Sequence, residues 1–153
     1  QASSELGFSS GVKCSRPVCL EDLFPTLMEA AGIAVPENLD GQSLIPILRG
    51  EDAEHRPWLH SEHSTCYSKE QAFHALTDGR MKYIWRTEHG NEQLFDINED
   101  PNELTDLSSS ADHQEELQTW RNVLIERLKE RPEGFVENGA LVAGREYPAV
   151  LKS

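Results

Sequence analysis

The chain has 153 residues, with 14 Lys and Arg against 27 Asp and Glu, so its formal net charge is −13. That length fits one domain, or a domain with an added arm. An apolar fraction of 37% with 7% aromatics supports a modest core and argues against wholesale disorder. The acidic balance argues against a nucleic-acid or anionic-membrane binder, since both need a basic surface, and by itself says no more than solubility. No apolar run approaches the ~18 residues of a membrane span. The first residues lack a basic stretch followed by an apolar one, so they do not read as a signal peptide, and bacterial periplasm and cytoplasm both stay open.

Residues 1–16, with Ser3, Ser4, Gly7, Ser9, Ser10 and Gly11, read as a flexible arm. Residues 17–56 read as a helical segment. Leu20, Leu23, Phe24, Leu27, Met28 and Ala31 recur at three- and four-residue steps, which predicts a helix from about 20 to 31. Pro25 requires that helix to start effectively near Leu23 or to kink, and Gly32 is its C-cap. Asp40-Gly41 makes a turn, and Leu44, Ile47 and Leu48 form a short helical face closed by Gly50.

Residues 57–134 change period. Strands are predicted at about 58–63, 72–77, 80–86 and 93–97. Asp78-Gly79 reads as a two-residue hairpin turn, setting Leu76 opposite Met81, His74 opposite Tyr83, Ala72 opposite Trp85 and Phe73 opposite Ile84. The face with the larger aromatic load is expected to pack on a helix. Leu117, Trp120, Leu124 and Leu128 mark that helix, at about 112–131, with Ser109, Ser110 and Asp112 as candidate caps. Residues 135–153 read as a strapping tail that packs irregularly. The fold class is α+β: a small antiparallel sheet of three to four strands against a long C-terminal helix, with an N-terminal helical arm.

The densest chemistry is His60, Glu62 and His63, with His74 nearby. In a strand, His60 and Glu62 point to one side and His63 to the other, so these three do not chelate one ion unless the strand ends there. They are read as ordinary polar residues or as part of a pocket rim completed by another domain, with no metal assigned. Cys14, Cys19 and Cys66 are odd in number and irregular in spacing. They read as structural thiols, with one disulfide left open. Asp96, Glu99, Asp100 and Glu103 do not follow the order of a calcium loop and read as capping groups. There is no Gly-x-Ser-x-Gly elbow and no phosphate loop. Residue chemistry alone gives an incomplete enzyme or a non-enzymatic packing domain.

Several segments, in order, resemble one family. They are Leu20-Glu21-Asp22-Leu23-Phe24-Pro25-Thr26-Leu27 with Ala31-Gly32-Ile33, then Asp40-Gly41-Gln42-Ser43-Leu44 with Leu48-Arg49-Gly50, then Trp58 to His63. Thr77 to Ile84, Glu92 to Asp96 and Asp100-Pro101-Asn102-Glu103 follow, completed by Leu107 and the Trp120 helix. Over residues 17–145 this order is similar to the C-terminal end of an arylsulfatase-like protein of the alkaline-phosphatase-like superfamily. The resemblance implies a parent sulfatase that hydrolyses sulfate monoesters, using formylglycine and calcium held by an N-terminal α/β domain. The formylglycine motif, Cys/Ser-x-Pro-x-Arg, is missing. Cys14-Ser15-Arg16-Pro17 has proline one place late, and Ser15 to Cys19 ends in cysteine where arginine is required.

The resemblance therefore implies a C-terminal fragment, inactive alone, whose partner is the missing N-terminal catalytic domain and whose parent takes a sulfate ester as substrate. His60, Glu62, His63 and His74 are its candidates for the pocket mouth. Tyr83, Trp85 and Leu94 are expected in the core. An exposed domain face is expected to allow a homodimer. Two alternatives remain: a phosphonate or phosphate ester hydrolase of the same superfamily, and a stand-alone binding or scaffold domain.

Overall fold

The computed structural model describes residues 7, 8, 11, 13–51 and 55–148. Most of the arm expected at 1–16, and the end of the tail beyond 148, lie outside the described residues. The chain divides into two compact units, 1–59 and 60–153.

In the first unit a 3-10 turn, Leu20–Asp22, runs into helix α1, Leu23–Ala30. Pro25 is the third residue of α1, in the first turn, where a missing N–H costs no helical hydrogen bond. Helix α1 ends in a Schellman motif. Gly32 has φ +70°, its N–H donates to the Glu29 carbonyl, and the Ile33 N–H donates to Met28. Helix α2 is a single turn, Ile45–Leu48, with Ile45 buried.

The motif residues of this unit form one knot. Asp22 is wholly buried, and its carboxylate accepts from the backbone N–H of Cys19 (2.9 Å) and Gln42 (2.8 Å). Arg56 Nη2 closes on Asp22 Oδ1 at 2.5 Å. Burial pushes the Asp22 carboxyl up, but the two backbone donors and Arg56 outweigh it and hold the group below its usual range. Thr26 Oγ1 accepts from the Leu44 N–H at 2.9 Å. Gly41 lies so close to the preceding segment that a Cβ there would stand 2.0 Å from the Glu21 carbonyl oxygen. The aspartate and threonine of the two sequence segments thus hold this unit together by hydrogen bonds and an ion pair, and the glycine by close approach.

The sheet follows. Strands β1 (Leu59–His63), β2 (Phe73–Thr77), β3 (Met81–Arg86) and β4 (Glu92–Asp96) lie in the order β1-β2-β3-β4, with β2/β3 and β3/β4 antiparallel. The β2/β3 register pairs His74 with Trp85, Leu76 with Tyr83, Ala75 with Ile84 and Phe73 with Arg86. This corrects the expected hairpin by two residues. Side chains build a longer loop than Asp78-Gly79 alone: Thr77 Oγ1 donates to the Met81 carbonyl, and Asp78 Oδ1 accepts from the N–H groups of Arg80 and Met81. Because the slip is even, each side chain keeps its predicted face. His74, Leu76, Met81, Tyr83, Trp85 and Leu94 are buried on one face, while Ala75, Ile84 and Phe95 cluster on the other with Phe73 and Ile97.

After β4 the carboxylates act as caps. Asp96 Oδ1 accepts from the N–H groups of Asn98 and Glu99, Asp100 Oδ2 from that of Thr105, and Glu103 pairs with Lys82 at 2.8 Å. Helix α3, Gln114–Leu128, is preceded by a 3-10 turn, Ala111–His113, whose N-cap position is Ser110. It buries Leu117, Trp120, Leu124 and Leu128, the stripe read from the sequence, and ends three residues before the predicted Arg131. Arg121 reaches Glu92 (2.6 Å), which also accepts from the Tyr83 hydroxyl (2.5 Å), so α3 covers the aromatic face. The tail is more regular than expected. Val136–Glu137 (β5) and Ala140–Leu141 (β6) form a hairpin through Asn138-Gly139, both with positive φ, which is the dipeptide such a turn favours.

Candidate functional site

Alternation along β1 sends His60 and Glu62 to one face and His63 to the other. His63 stacks on Phe73, with ring centroids 5.9 Å apart, away from the other candidates. His74 comes from β2, the neighbour of β1, and meets the first two. His60 Nε2 lies 3.0 Å from His74 Nδ1, and His74 Nδ1 lies 3.4 Å from Glu62 Oε2. Three of the four predicted residues are therefore brought together, and the fourth is on the opposite side.

The tail completes the cluster. Tyr147 donates its hydroxyl proton to Glu62 Oε2 at 2.8 Å, and Arg131 Nη2 lies 3.2 Å from the same oxygen and 2.8 Å from Glu133. The Thr65 N–H donates to the Tyr147 carbonyl and fixes the tail beside the end of β1. Neither Arg131 nor Tyr147 was singled out by sequence reasoning. Tyr147 is 85 residues from Glu62, so no local pattern links them.

The His74 ring has no solvent exposure and is enclosed by aromatic groups: His60 and Tyr147 stack on it, Trp85 lies parallel, and Phe135 meets it edge-on. Burial pushes His74 down to about 3, helped by His60 and opposed by Glu62. Burial likewise lowers His60 to about 4, opposed by Glu62 and assisted by Arg127 and Arg131. Both imidazoles are neutral at neutral pH. Burial raises the Glu62 carboxyl, but the Tyr147 hydrogen bond and Arg131 outweigh it, so Glu62 stays ionised. The result is an exposed carboxylate backed by two neutral rings.

The cluster does not fit calcium. That ion takes six to eight oxygen ligands, and His60, Glu62 and His74 offer two nitrogens and a carboxylate. No Cys/Ser-x-Pro-x-Arg is present to become formylglycine. Cys14, Cys19 and Cys66 are free thiols, and Cys19 Sγ accepts from Arg56 at 2.8 Å.

Residues 8–131 match the family model for the N-sulphoglucosamine sulphohydrolase C-terminal domain. An arylsulfatase of Clostridium perfringens is 34% identical over 129 residues, covering 84% of this chain and 26% of that protein. Human arylsulfatase K is 34% identical over 111 residues, covering 67% of this chain and 20% of that protein. Among solved structures, a 2-O GAG sulfatase superposes with a TM-score of 0.66 at 30% identity, over 80% of this chain and 27% of the other. The phosphonate monoester hydrolase of Agrobacterium radiobacter gives a TM-score of 0.55 at 27% identity, over 71% of this chain and 24% of the other. The chain spans only 26% and 20% of the length of these two curated relatives.

Proposed function

On the premise that this chain belongs to the N-sulphoglucosamine sulphohydrolase C-terminal family of sulfatases, we propose that it caps the catalytic domain of a sulfate monoester hydrolase. The observation that carries this reading is the outer surface of the first unit. Leu20, Leu23, Phe24 and Leu27 fall at helical spacing on one stripe, yet their exposures are 81%, 51%, 55% and 68%. Ile33 (56%) and Leu48 (44%) are exposed as well. An amphipathic helix normally turns such a stripe inward. Contiguous apolar area facing water marks a surface that meets a partner. The partner that fits is an N-terminal α/β catalytic domain of the sulfatase type.

In this reading the cap supplies no bond-breaking group. Formylglycine and calcium belong to the catalytic domain, because this sequence has no Cys/Ser-x-Pro-x-Arg and the His60, Glu62 and His74 cluster does not suit calcium. The whole protein converts a sulfate monoester into an alcohol or phenol and sulfate. Glu62 and His60 line the pocket mouth, His74 and Tyr147 hold them from behind, and His63 serves the opposite face. The names of the relatives, arylsulfatase and 2-O GAG sulfatase, support the sulfate ester class.

The test is direct. The purified 153 residues, given calcium and an aryl sulfate, are expected to show no turnover, and the same cap joined to a formylglycine-bearing catalytic domain is expected to restore it. Turnover by the isolated chain would overturn the reading. The likeness to a phosphonate monoester hydrolase favours a second reading, an ester hydrolase acting on phosphonates. Paired assays of the joined protein on aryl sulfate and aryl phosphonate esters decide between the two by their kcat/KM ratio.

A further inference from the structure

His74 poses a problem that the capping role leaves unsolved. Its ring has no solvent exposure, and its Nε2 has no hydrogen-bond partner. Leaving a buried polar atom unpaired costs about 1–3 kcal/mol, and an ion held by the other ring nitrogen would not remove that cost. An apolar residue of similar size would fill the aromatic cage without that cost. The polar contacts that the imidazole does make are at its other nitrogen, Nδ1. That atom faces His60 Nε2 at 3.0 Å and Glu62 Oε2 at 3.4 Å.

We propose that His60 Nε2, His74 Nδ1 and the Glu62 carboxylate form a binding site for one transition-metal dication of the zinc class. Around a tetrahedral ion with bonds of about 2.0–2.1 Å, ligand atoms stand about 3.3 Å apart. The two contacts of His74 Nδ1, 3.0 and 3.4 Å, lie on either side of that spacing, and all three ligand atoms lie within 4.8 Å of one another. Two imidazole nitrogens and one carboxylate are a zinc donor set and a poor one for calcium or magnesium. Three protein ligands leave a fourth position, and the partly exposed Glu62 gives it a route to water.

The surroundings suit the ion. Tyr147 donates to Glu62 Oε2 and orients the carboxylate, as an outer partner of a metal ligand does. A carboxylate has about four lone-pair positions, so two donors on Oε2 leave capacity for a metal. The nearest cation, Arg131, is itself paired with Glu133 at 2.8 Å, which offsets its charge. Bound there, the ion ties β1 to β2 and, through Glu62, to the tail. A plain proton shared between His60 and His74 fits the 3.0 Å contact as well, and the experiment separates the two.

The chain is stripped with chelator and titrated with zinc, with cobalt(II) as an optical probe of tetrahedral geometry. One equivalent of zinc is expected to bind and raise Tm, and cobalt is expected to show tetrahedral visible bands. Affinity is expected to fall at least tenfold in His60→Ala and in Glu62→Gln. Both residues lie on the open side of the cluster, so these variants test the site even if His74 replacements do not fold. His63→Ala, on the other face, is expected to bind as the parent chain does, and excess calcium is expected not to compete. Absence of saturable binding, full binding by both His60→Ala and Glu62→Gln, or loss in His63→Ala would overturn the proposal. The inference uses the same side chains as the pocket-mouth reading but not the hydrolase activity. Metal binding is read on the isolated chain, so either can fail alone.

Discussion

Arg56 Nη2 lies 2.5 Å from Oδ1 of Asp22, a carboxylate with no solvent exposure, and the two residues stand 34 positions apart. The pair ties the segment after the first unit's helices to the turn that starts them. Removing the cation leaves a buried charge held by backbone N–H groups alone. Arg56→Met is therefore expected to destabilise residues 20–48 by about 3–5 kcal/mol, because the orphaned charge remains buried. Urea denaturation with hydrogen exchange across that segment measures it. A loss below about 1 kcal/mol would mean that the pair is no better than a surface contact.

Gly41 makes a different kind of contact with the same turn. A methyl group there meets the Glu21 carbonyl oxygen at 2.0 Å, and backbone cannot give way as a side-chain tip can. At Gly32 a Cβ meets nothing within 4 Å, and only its φ of +70° is strained. Gly32→Ala is expected to cost about 1–2 kcal/mol, the price of a left-handed residue. Gly41→Ala is expected to cost clearly more. Paired Tm measurements check this, and equal losses would contradict the close approach.

Much of this fold was legible in the sequence, for identifiable reasons. The α3 stripe of Leu117, Trp120, Leu124 and Leu128 follows from helical spacing, and the split of His60 and Glu62 from His63 follows from strand alternation. The β2/β3 register was misplaced because the turn is organised by the side chains of Thr77 and Asp78, which dipeptide rules do not weigh. Even so, the faces were right, since a two-residue slip preserves them. The tail hairpin has a signal, Asn138-Gly139, but the strands it joins are only two residues long and carry no alternation of their own. The partners of Asp22 and Glu62, namely Arg56 and Tyr147, had no signal at all, because tertiary structure alone brings them near. The α1 stripe was readable as apolar, but periodicity does not say whether such a stripe faces a core or a partner.

The two buried histidines make stability depend on pH. Burial places His74 at about 3 and His60 at about 4, while both titrate near 6.5 in an unfolded chain. As pH falls, the unfolded chain takes up these protons first. The stabilisation is therefore complete above about pH 6.5 and is lost progressively below it. Glu62, Glu133, Arg127 and Arg131 are the charged groups facing the pair, and the carboxylates stay ionised through most of that window. In the presence of chelator, a loss on the order of a few kcal/mol is expected between pH 6.5 and 4. His74→Gln is expected to be less stable at pH 7 and flatter across the window. Parallel pH profiles for the two proteins would contradict the assignment.

The exposed apolar stripe predicts self-association when no catalytic domain covers it. Light scattering on the isolated chain is expected to show a dimer that dissociates on dilution. Phe24→Asp with Leu27→Asp, both on exposed positions, is expected to give a monomer with little change in Tm. A parent chain that stays monomeric at high concentration would count against a surface built for docking.

The capping role itself is tested most directly by binding. A separately produced sulfatase catalytic domain is titrated with this chain by calorimetry. Saturable binding at one to one is expected, with a negative heat-capacity change from apolar burial, and Phe24→Asp with Leu27→Asp is expected to weaken it at least tenfold. Binding that is absent, or that is indifferent to those two substitutions, would contradict the account.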